Sequence, residues 1–507
     1  NSMLRLSATL LLSCLALSYA EYYSSVDIAQ ELGEVEQQLV TATRQYVQQQ
    51  QAQLNLYNNF LQQVKLEHAL AKEQEEEEYL AQPVQAFQLI KRLVVDWEEI
   101  QEMLNTDAAA ETYSEAVEQL QEQLPQLDDL QGTIKGLARL QRIYNLTASD
   151  LADGLLNGEQ TNAVLLWRDC FEIGVQLYEL ADYKQCLEWL QVAAKLLNEL
   201  ESEQLSEQLA EIYEYMALAH FELGADEQAQ QILSVLLVLE PTHIAQHTAT
   251  YLKHRAAKCP KPQAEKPWYA NYTLLCQGKR PMGVVFNESA LSCYLDFQRH
   301  AVFTLAPLKV EQLHLNPAID MYHGLLNDAQ LDAVQLEAAK LESARSTISG
   351  GRKDDHRISQ QVWLEYNSPI MRSLKQLVGA ISGYDMANAD IMQMANYGIG
   401  GQYAPHFDFL NKLPPGYETR GNRISTNMFY LSDVPQGGYT VFLGLHVYVK
   451  PVKGALVVWH NKHRSLGNDW RTQHAGCPVL QGSKRIGNIW IFESLQEFRR
   501  PCGLSAN

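Results

Sequence analysis

The sequence predicts a multidomain protein with an all-α N-terminal half and a C-terminal half built mainly of β-strands, arranged as a barrel or jelly roll. The first half carries apolar residues at helical spacing, whereas the last third carries short β-branched or aromatic segments bounded by Gly, Pro or Asn. With 507 residues, the chain exceeds what one hydrophobic core usually organises, so about two to four domains are expected.

Composition and charge narrow the class of protein. Apolar residues make up 46% and charged residues 20% of the chain, as in soluble globular proteins. The net charge of −20 argues against nucleic acid or an anionic membrane surface as a partner. No stretch after the N-terminus reaches the roughly 18 to 20 continuous apolar residues of a membrane span, so no span is expected.

Residues 1–20 have the features of a secretory signal peptide, because Arg5 precedes an apolar run and small residues follow it. The expected compartment is therefore oxidising, and the seven later cysteines are candidates for disulfides. Their odd number leaves at least one thiol without a partner in the chain. Three glycosylation sequons fit the same compartment: Asn145, Asn271 and Asn287.

A helical N-terminal or dimerisation region is expected over residues 21–150, because Val26 to about Asn105 is rich in Gln, Glu, Leu and Ala. A 4-3-4-3-4 spacing in it resembles an a/d seam: Ile28, Leu32, Val35, Leu39, Ala42 and Tyr46. A paired helix at a dimer interface and an amphipathic helix packed on its own domain explain this spacing equally well.

Residues from about 163 to 255 have the spacing of tetratricopeptide helix pairs. The second pair carries the clearer pattern: Tyr213, Met216, Ala217, Gly224, Ala229, Leu233 and Pro241. Two pairs are fewer than the roughly three that a solenoid needs, so a small peptide-binding module is expected over 160–256. The alternative is that these helices serve only as a scaffold.

A proline-rich linker is expected at 257–270, followed by a β-rich domain at 271–507. Five segments predict strands: Ile391 to Tyr397, Ile424 to Leu431, Tyr439 to Leu443, Ala455 to Trp459 and Ile486 to Phe492. Helices are expected near Asp328 to Ser343 and Pro369 to Ile381.

His406 and Asp408 carry the sharpest chemical signal. Residues two apart on a strand project to the same side, so this imidazole and carboxylate can meet one metal ion. Two histidines and one carboxylate form the iron site of non-haem Fe(II) oxygenases. Four histidines are candidates for the distal ligand: His446, His460, His463 and His474. His474 stands out because Lys484 follows ten residues later, at the start of a predicted strand.

Lys484 suits the far carboxylate of 2-oxoglutarate, which needs a buried cation to offset its desolvation. Arg485 is adjacent, but neighbouring strand residues face opposite sides, so only one of them can enter a pocket. The alternative is that both are exposed surface cations.

Several stretches resemble the α subunit of collagen prolyl 4-hydroxylase in order and spacing. They are Asn396 to Asp408, Gly421-Asn-Arg-Ile, Phe429-Tyr-Leu-Ser-Asp, Gly437-Gly438, Thr440-Val-Phe, His474-Ala-Gly-Cys-Pro-Val-Leu and Glu497-Phe-Arg-Arg-Pro-Cys. The resemblance extends weakly over most of the chain. It implies a double-stranded β-helix (jelly-roll) catalytic domain and procollagen-proline 4-dioxygenase activity on X-Pro-Gly-type peptides.

The resemblance also implies roles for individual residues. His406, Asp408 and His474 would hold Fe(II), and Lys484 would anchor 2-oxoglutarate. Lysyl hydroxylases usually have Arg at that position, so Lys484 favours the prolyl branch. Tyr403 would touch the cosubstrate, with core packing as the alternative. The implied disulfides join Cys276 to Cys293 and Cys477 to Cys502.

By the same resemblance, ascorbate would sustain turnover, and protein disulfide isomerase would serve as the β subunit of an α2β2 tetramer in the endoplasmic reticulum lumen. The substrate would be a proline-rich or collagen-like peptide. Leu218 and Phe221 stand where the family has tyrosines, and His460 replaces an aromatic residue. These departures keep two alternatives open: a prolyl hydroxylase of non-collagen secreted proteins, and a non-catalytic peptide-binding assembly subunit.

Overall fold

The computed structural model describes residues 26–49, 54–73, 79–104, 108–200, 206–243, 246, 250, 266–346, 355–413 and 416–503. The chain divides into two compact units, one of residues 29–266 and one of residues 1–28 with 267–507. The expected signal peptide, most of the expected linker and Cys259 lie outside the described residues. Within these residues, no helix combines the length and apolarity needed to cross a membrane.

Helices build the described part of residues 29–266, as the sequence predicts. They are α1 (Val26–Gln49), α2 (Leu54–Glu73), α3 (Pro83–Lys91), α4 (Trp97–Leu104), α5 (Ala108–Leu120), α6 (Leu127–Tyr144), α7 (Ala148–Ala152), α8 (Trp167–Glu179), α9 (Tyr183–Asn198), α10 (Ser206–Glu222) and α11 (Asp226–Leu239). A short hairpin, β1 (Leu155–Leu156) with β2 (Glu159–Gln160), separates α7 from α8. Helix α8 packs against α9 and α10 against α11, which are the two helix pairs that the repeat spacing predicts.

The apolar seam of α1 is buried within a single chain, because Leu32, Val35 and Leu39 are each less than 5% exposed. This burial supports the interpretation that α1 packs on its own domain. Beside the seam, the buried Arg92 donates from Nη2 to Oε2 of Glu36 at 2.9 Å. A second carboxylate, that of Glu67, also accepts from this guanidinium. The helices therefore enclose an ion pair as well as apolar side chains.

Phe221 lies in the core of the helical module, at 5% exposure, with Ala217 and Leu233. Its ring packs between α10 and α11, whereas Leu218 is only half-buried. Of the two departures from the family's tyrosines, Leu218 is therefore the one more accessible to a bound peptide, and the effect of either on peptide preference stays a prediction.

Strands dominate the described part of residues 267–507. They are β3 (Cys293–Asp296), β4 (Leu308–Leu315), β5 (Ala318–His323), β6 (Ala344–Arg345), β7 (Gln360–Leu364), β8 (Met392–Tyr397), β9 (Tyr403–His406), β10 (Arg423–Tyr430), β11 (Gln436–Gly437), β12 (Thr440–Phe442), β13 (Val447–Val449), β14 (Leu456–His460), β15 (His474–Gly476), β16 (Val479–Gln481) and β17 (Lys484–Phe492). Three helices accompany them: α12 (Tyr269–Cys276), α13 (Asp328–Ala338) and α14 (Pro369–Ser382). Helix α13 ends at Ala338, before the expected Ser343, and a turn then leads to β6.

Two sheets form the jelly roll. The larger has the order β3-β4-β5-β14-β10-β17-β8-β7-β6, and the smaller has the order β13-β12-β15-β9. Alternate residues of β10 pack on opposite sides of the large sheet, since Met428 and Tyr430 join one core cluster and Phe429 joins another. The first cluster contains Phe442 of the small sheet, and the second contains residues of α13 and α14. The predicted jelly roll is thereby confirmed.

The disulfide pairing implied by the resemblance is wrong in this structure. Cys276 pairs with Cys477, with their Cα atoms 5.5 Å apart. Helix α12 packs against β12 and β13, which brings its last residue beside the end of β15. Cys293, in the edge strand β3, and Cys502 are exposed and free. Cys170 and Cys186 are free and buried in the helical module.

Candidate active site

Three side chains converge where β9 meets β15. The antiparallel register places His406 directly opposite His474. Nε2 of His406 lies 3.8 Å from Oδ1 of Asp408, and Nε2 of His474 lies 3.6 Å from Oδ2 of the same carboxylate. The three candidate ligand atoms all lie within 4.8 Å of one another. One metal ion could therefore contact all three, with the two imidazoles and one carboxylate of a facial triad.

Backbone carbonyls fix the orientation of both imidazoles. Nδ1 of His406 lies 2.9 Å from the carbonyl oxygen of Ala404, and Nδ1 of His474 lies 3.0 Å from that of Thr472. A carbonyl only accepts hydrogen bonds, so each Nδ1 carries the proton and each Nε2 keeps its lone pair. This is the tautomer that a metal ligand needs.

The carboxylate of Asp408 has its own support. Oγ1 of Thr426 donates to Oδ2 of Asp408 at 2.7 Å, and Nδ2 of Asn461 donates to Oγ1 of Thr426 at 2.9 Å. Burial alone would raise the pKa of Asp408, but the imidazoles of His474 and His406 and the Thr426 hydrogen bond lower it below its ordinary value. Burial lowers the pKa of His406 well below its ordinary value. The site therefore offers a carboxylate and neutral imidazole, the protonation states that bind metal.

Lys484 lies at the start of β17, and only 2% of its surface is exposed. Its Nζ donates to Oγ1 of Thr440 at 3.2 Å, and among the described residues no carboxylate forms an ion pair with it. Burial lowers the pKa of Lys484 to about 7. Gly438 lies beside the lysine stem, and its φ of +65° is a backbone conformation that residues with a side chain rarely adopt. An added Cβ would also lie 3.1 Å from Cγ1 of Val434, so glycine suits this turn.

A pocket of about 300 Å³ contains both the metal-binding cluster and Lys484. A buried cation without a carboxylate partner is costly unless an anion binds beside it. The residues present thus fit a metal ion together with a small dianion such as 2-oxoglutarate. Arg485 does not line this pocket, as the alternation of strand residues predicts.

Tyr403 lines the same pocket and stacks on His406, with ring centroids 3.5 Å apart and planes at 14°. Burial raises its pKa to about 12, so the phenol stays protonated at neutral pH. Its ring therefore packs as a core residue would and also forms part of the pocket wall.

The sequence offered no signal for Arg357, which also lines the pocket and is 6% exposed. Its guanidinium lies 4.8 Å from the Tyr403 ring and donates to Gln393 at 2.9 Å. Thr426, in β10, and Asn461, just after β14, were missed as well, because single buried polar residues have no distinctive spacing in the sequence. Arg423 belongs to the stretch Gly421-Asn-Arg-Ile that resembles the family. The sequence did not predict that its guanidinium lies over the Trp490 ring, 3.9 Å from the ring centroid.

The other three histidine candidates lie outside the pocket lining. Nδ1 of His446 lies 3.3 Å from Oδ1 of Asn271. Nε2 of His460 lies 2.9 Å from the Tyr384 hydroxyl, and burial lowers the pKa of His460 to about 4. His463 faces Asp469 at 3.7 Å. His474 alone among the four meets His406 and Asp408.

The fold and site define a 2-oxoglutarate–Fe(II) oxygenase, and the model of the 2OG-Fe(II) oxygenase superfamily matches residues 392–492. Two further models match: the prolyl 4-hydroxylase α-subunit N-terminal region at residues 25–158, and the prolyl 4-hydroxylase peptide-substrate-binding domain at residues 167–253. The chain belongs to the prolyl 4-hydroxylase α-subunit family.

Several curated proteins are similar to this chain over nearly all of its length. Prolyl 4-hydroxylase subunit alpha-1 of Homo sapiens is 32% identical, over 97% of this chain and 97% of its own. The alpha-1 subunit of Mus musculus is 33% identical over the same shares, and the alpha-2 subunit of Caenorhabditis elegans is 31% identical over 98% and 96%. A solved viral collagen prolyl hydroxylase is 24% identical, covers 34% of this chain and 95% of its own, and has a TM-score of 0.28.

Proposed function

We propose that this chain is the catalytic α subunit of a procollagen-proline 4-dioxygenase. It converts proline in X-Pro-Gly-type peptides, with 2-oxoglutarate and O₂, into 4-hydroxyproline, succinate and CO₂. One observation carries this proposal: the donor atoms of His406, Asp408 and His474 converge in a pocket that also holds the buried cation of Lys484.

In this proposal, His406, Asp408 and His474 hold Fe(II), and Lys484 binds the distal carboxylate of 2-oxoglutarate. Bound iron with its cosubstrate and O₂ supplies the oxidising power that replaces the C4 hydrogen of proline with hydroxyl. The chain contributes fixed geometry: carbonyls hold the imidazoles, Thr426 donates a hydrogen bond to Asp408, and the pocket walls orient the proline and exclude water. Tyr403 closes one side of the cosubstrate space.

The helical module of residues 160–256 would bind another stretch of the same peptide. The match to a peptide-substrate-binding domain at residues 167–253 supports this role. Because both sites then hold one peptide, the module raises the effective concentration of proline at the iron.

The same proposal divides the chain into domains at residues 21–150, 160–256, 257–270 and 271–507. The boundary between the two compact units at residue 266 supports this division.

The assembly and compartment are also proposals. Protein disulfide isomerase would be the β subunit of an α2β2 tetramer in the endoplasmic reticulum lumen, reached through the signal peptide at 1–20, with ascorbate sustaining turnover. The relatives are named alpha subunits, which supports an assembly with a second type of subunit. A chain that purifies alone as a soluble, active protein and stays in the reticulum without the isomerase would contradict this assembly.

Mass spectrometry of a (Pro-Pro-Gly)-type peptide tests the activity. The chain, co-expressed with protein disulfide isomerase, should add one oxygen to the proline before glycine when Fe(II), 2-oxoglutarate and ascorbate are supplied. His474→Ala should lose both iron and activity, whereas His446→Ala, which removes a histidine outside the pocket lining, should keep both.

Two other outcomes separate the alternatives. Iron-dependent succinate release with no oxygen on the collagen-type peptide would indicate a prolyl hydroxylase of non-collagen secreted proteins. Bound iron without any succinate release would indicate a non-catalytic peptide-binding assembly subunit.

A further inference from the structure

Phe407, Phe409 and Trp470 form an aromatic cluster that the proposed chemistry does not use. The rings of Phe407 and Phe409 stack at 4.7 Å, and the Trp470 ring meets each of them edge-on at 5.0 Å. Phe409 is 3% exposed, whereas Trp470 is 60% exposed. This aromatic platform thus starts in the core and ends in an indole that faces solvent.

The aromatic platform is continuous with the candidate active site. Phe407 stands between His406 and Asp408 in the chain and lines the pocket that contains them. The stack with Phe407 therefore joins the exposed Trp470 to the wall of the pocket. Any extended ligand that leaves the pocket along this wall meets an apolar surface without charged groups of its own.

A tight turn holds Trp470 in place. The residues Trp470–Thr472 form one 3₁₀ turn, in which Oδ1 of the buried Asp469 accepts from the backbone N–H of Arg471 at 3.1 Å and from its Nε at 2.8 Å. The hydroxyl of Thr472 donates to the Asp469 carbonyl at 2.8 Å. Because the Thr472 carbonyl also fixes His474, one turn positions both the exposed indole and a candidate iron ligand.

We propose that the aromatic platform binds the proline-rich segment of the substrate next to the proline that is hydroxylated. This inference rests on the proposed function. Proline-rich segments form a polyproline II helix in solution, and aromatic-lined surfaces recognise it because little conformational entropy is lost on binding. The flat, uncharged face of Trp470, rigidly held beside the pocket, has the chemistry of such a surface.

Peptide kinetics with the full chain and its isomerase partner test the aromatic platform. A short (Pro-Pro-Gly)-type peptide limits compensation by the helical module. Trp470→Ala should raise the KM for this peptide about tenfold, with kcat within about twofold, as expected for an aromatic contact in a binding surface. Trp470→Tyr should restore most of the affinity, and Phe498→Ala, which removes a 97% exposed ring outside the pocket lining, should change neither constant.

A second readout separates binding from a structural role. Iron content and the slow release of succinate without peptide should be unchanged in Trp470→Ala. An unchanged KM, or a loss of iron or of peptide-independent succinate release, would overturn the inference. If Trp470→Ala does not fold, Trp470→Leu decides, because it keeps apolar bulk without a flat ring and should also raise KM. A wild-type chain that hydroxylates no peptide would instead refute the proposed function.

Discussion

Replacing Lys484 by Met should stabilise the ligand-free protein although it should abolish 2-oxoglutarate binding. The Nζ of Lys484 is buried, and its one hydrogen bond in the structure goes to a neutral hydroxyl, that of Thr440. In the absence of a dianion, the folded chain therefore carries an uncompensated charge. Met has a similar length and no charge, so it removes this cost without opening a large cavity.

The magnitude follows from the pKa of Lys484, which burial lowers from 10.5 to about 7. One pKa unit corresponds to about 1.4 kcal/mol, so the charge costs up to about 5 kcal/mol at pH 6. Below pH 7 both the folded and the unfolded chain hold the proton, and the full cost is present. Above pH 7 the folded chain loses the proton first, so the cost decreases to about 2 kcal/mol at pH 9.

Urea unfolding at pH 6 and pH 9 measures this cost, with Lys462→Met as the matched control. Lys462 is also buried, at 8% exposure, but its Nζ lies 2.6 Å from Oε1 of Glu493. Removing Lys462 leaves that carboxylate without its partner, so this variant should be less stable than wild type. Adding 2-oxoglutarate to the iron-loaded protein should raise the unfolding midpoint of wild type further, but not that of Lys484→Met, whose iron ligands are intact and whose anchor for the cosubstrate is gone.

A Lys484→Met variant that is less stable than wild type at pH 6 would refute the reasoning. A stability difference that stays constant between pH 6 and pH 9 would do the same, because it would show that the titration of Lys484 is not its source.

Three further predictions concern other parts of the chain. His460→Phe should remove a loss of about 3 kcal/mol that wild type suffers between pH 6.5 and pH 4, because burial lowers the pKa of His460 to about 4 and only the unfolded chain takes up the proton. Urea unfolding at both pH values checks it. Arg92→Met should cost about 3 kcal/mol of unfolding free energy, since it takes the guanidinium away from the carboxylates of Glu67 and Glu36 and leaves Glu36 with the His68 imidazole at 3.1 Å. Thermal unfolding of this variant beside wild type measures it. Glycan mapping should find sugar on the exposed Asn145 and Asn287 but not on Asn271, whose Nδ2 donates to the Leu443 carbonyl at 2.8 Å.

Each of these predictions has a result that contradicts it. The pH prediction is wrong if His460→Phe and wild type lose equal stability on acidification. The ion-pair prediction is wrong if Arg92→Met unfolds at the wild-type temperature, and the double variant Arg92→Met with Glu36→Gln should recover part of the loss. A glycan on Asn271 would show that its helix is open to modification.

Much of the fold was predictable because the central strands are short segments rich in β-branched and aromatic residues. The predicted segment Ile424 to Leu431 corresponds to β10, and Ile486 to Phe492 lies within β17, both at the centre of the large sheet. Strands β4 and β5 were not singled out. Most residues of β4 are partly or fully exposed, so the polar side chains of this outer strand dilute the apolar alternation on which the sequence argument depends.

The candidate site was predictable only in part. The spacing of His406 and Asp408 is local, but the choice of His474 among four histidines depends on the register between β9 and β15, which the sequence does not display. The resemblance to a family supplied that choice. The disulfide shows the limit of this help, because the partner of Cys276 depends on where α12 packs, and the structure joins it to Cys477.

The hydrogen bonds that end on Asp408 determine the direction of a single proton. Thr426 has one hydroxyl hydrogen, and the amide of Asn461 already donates to its oxygen. The hydroxyl hydrogen is thereby directed at Asp408, whose oxygen accepts this hydrogen bond as a carboxylate. An uncharged pair of side chains thus keeps an anion ready for a metal cation before any ligand arrives, while Lys484 in the same pocket supplies the cation that an anionic ligand needs.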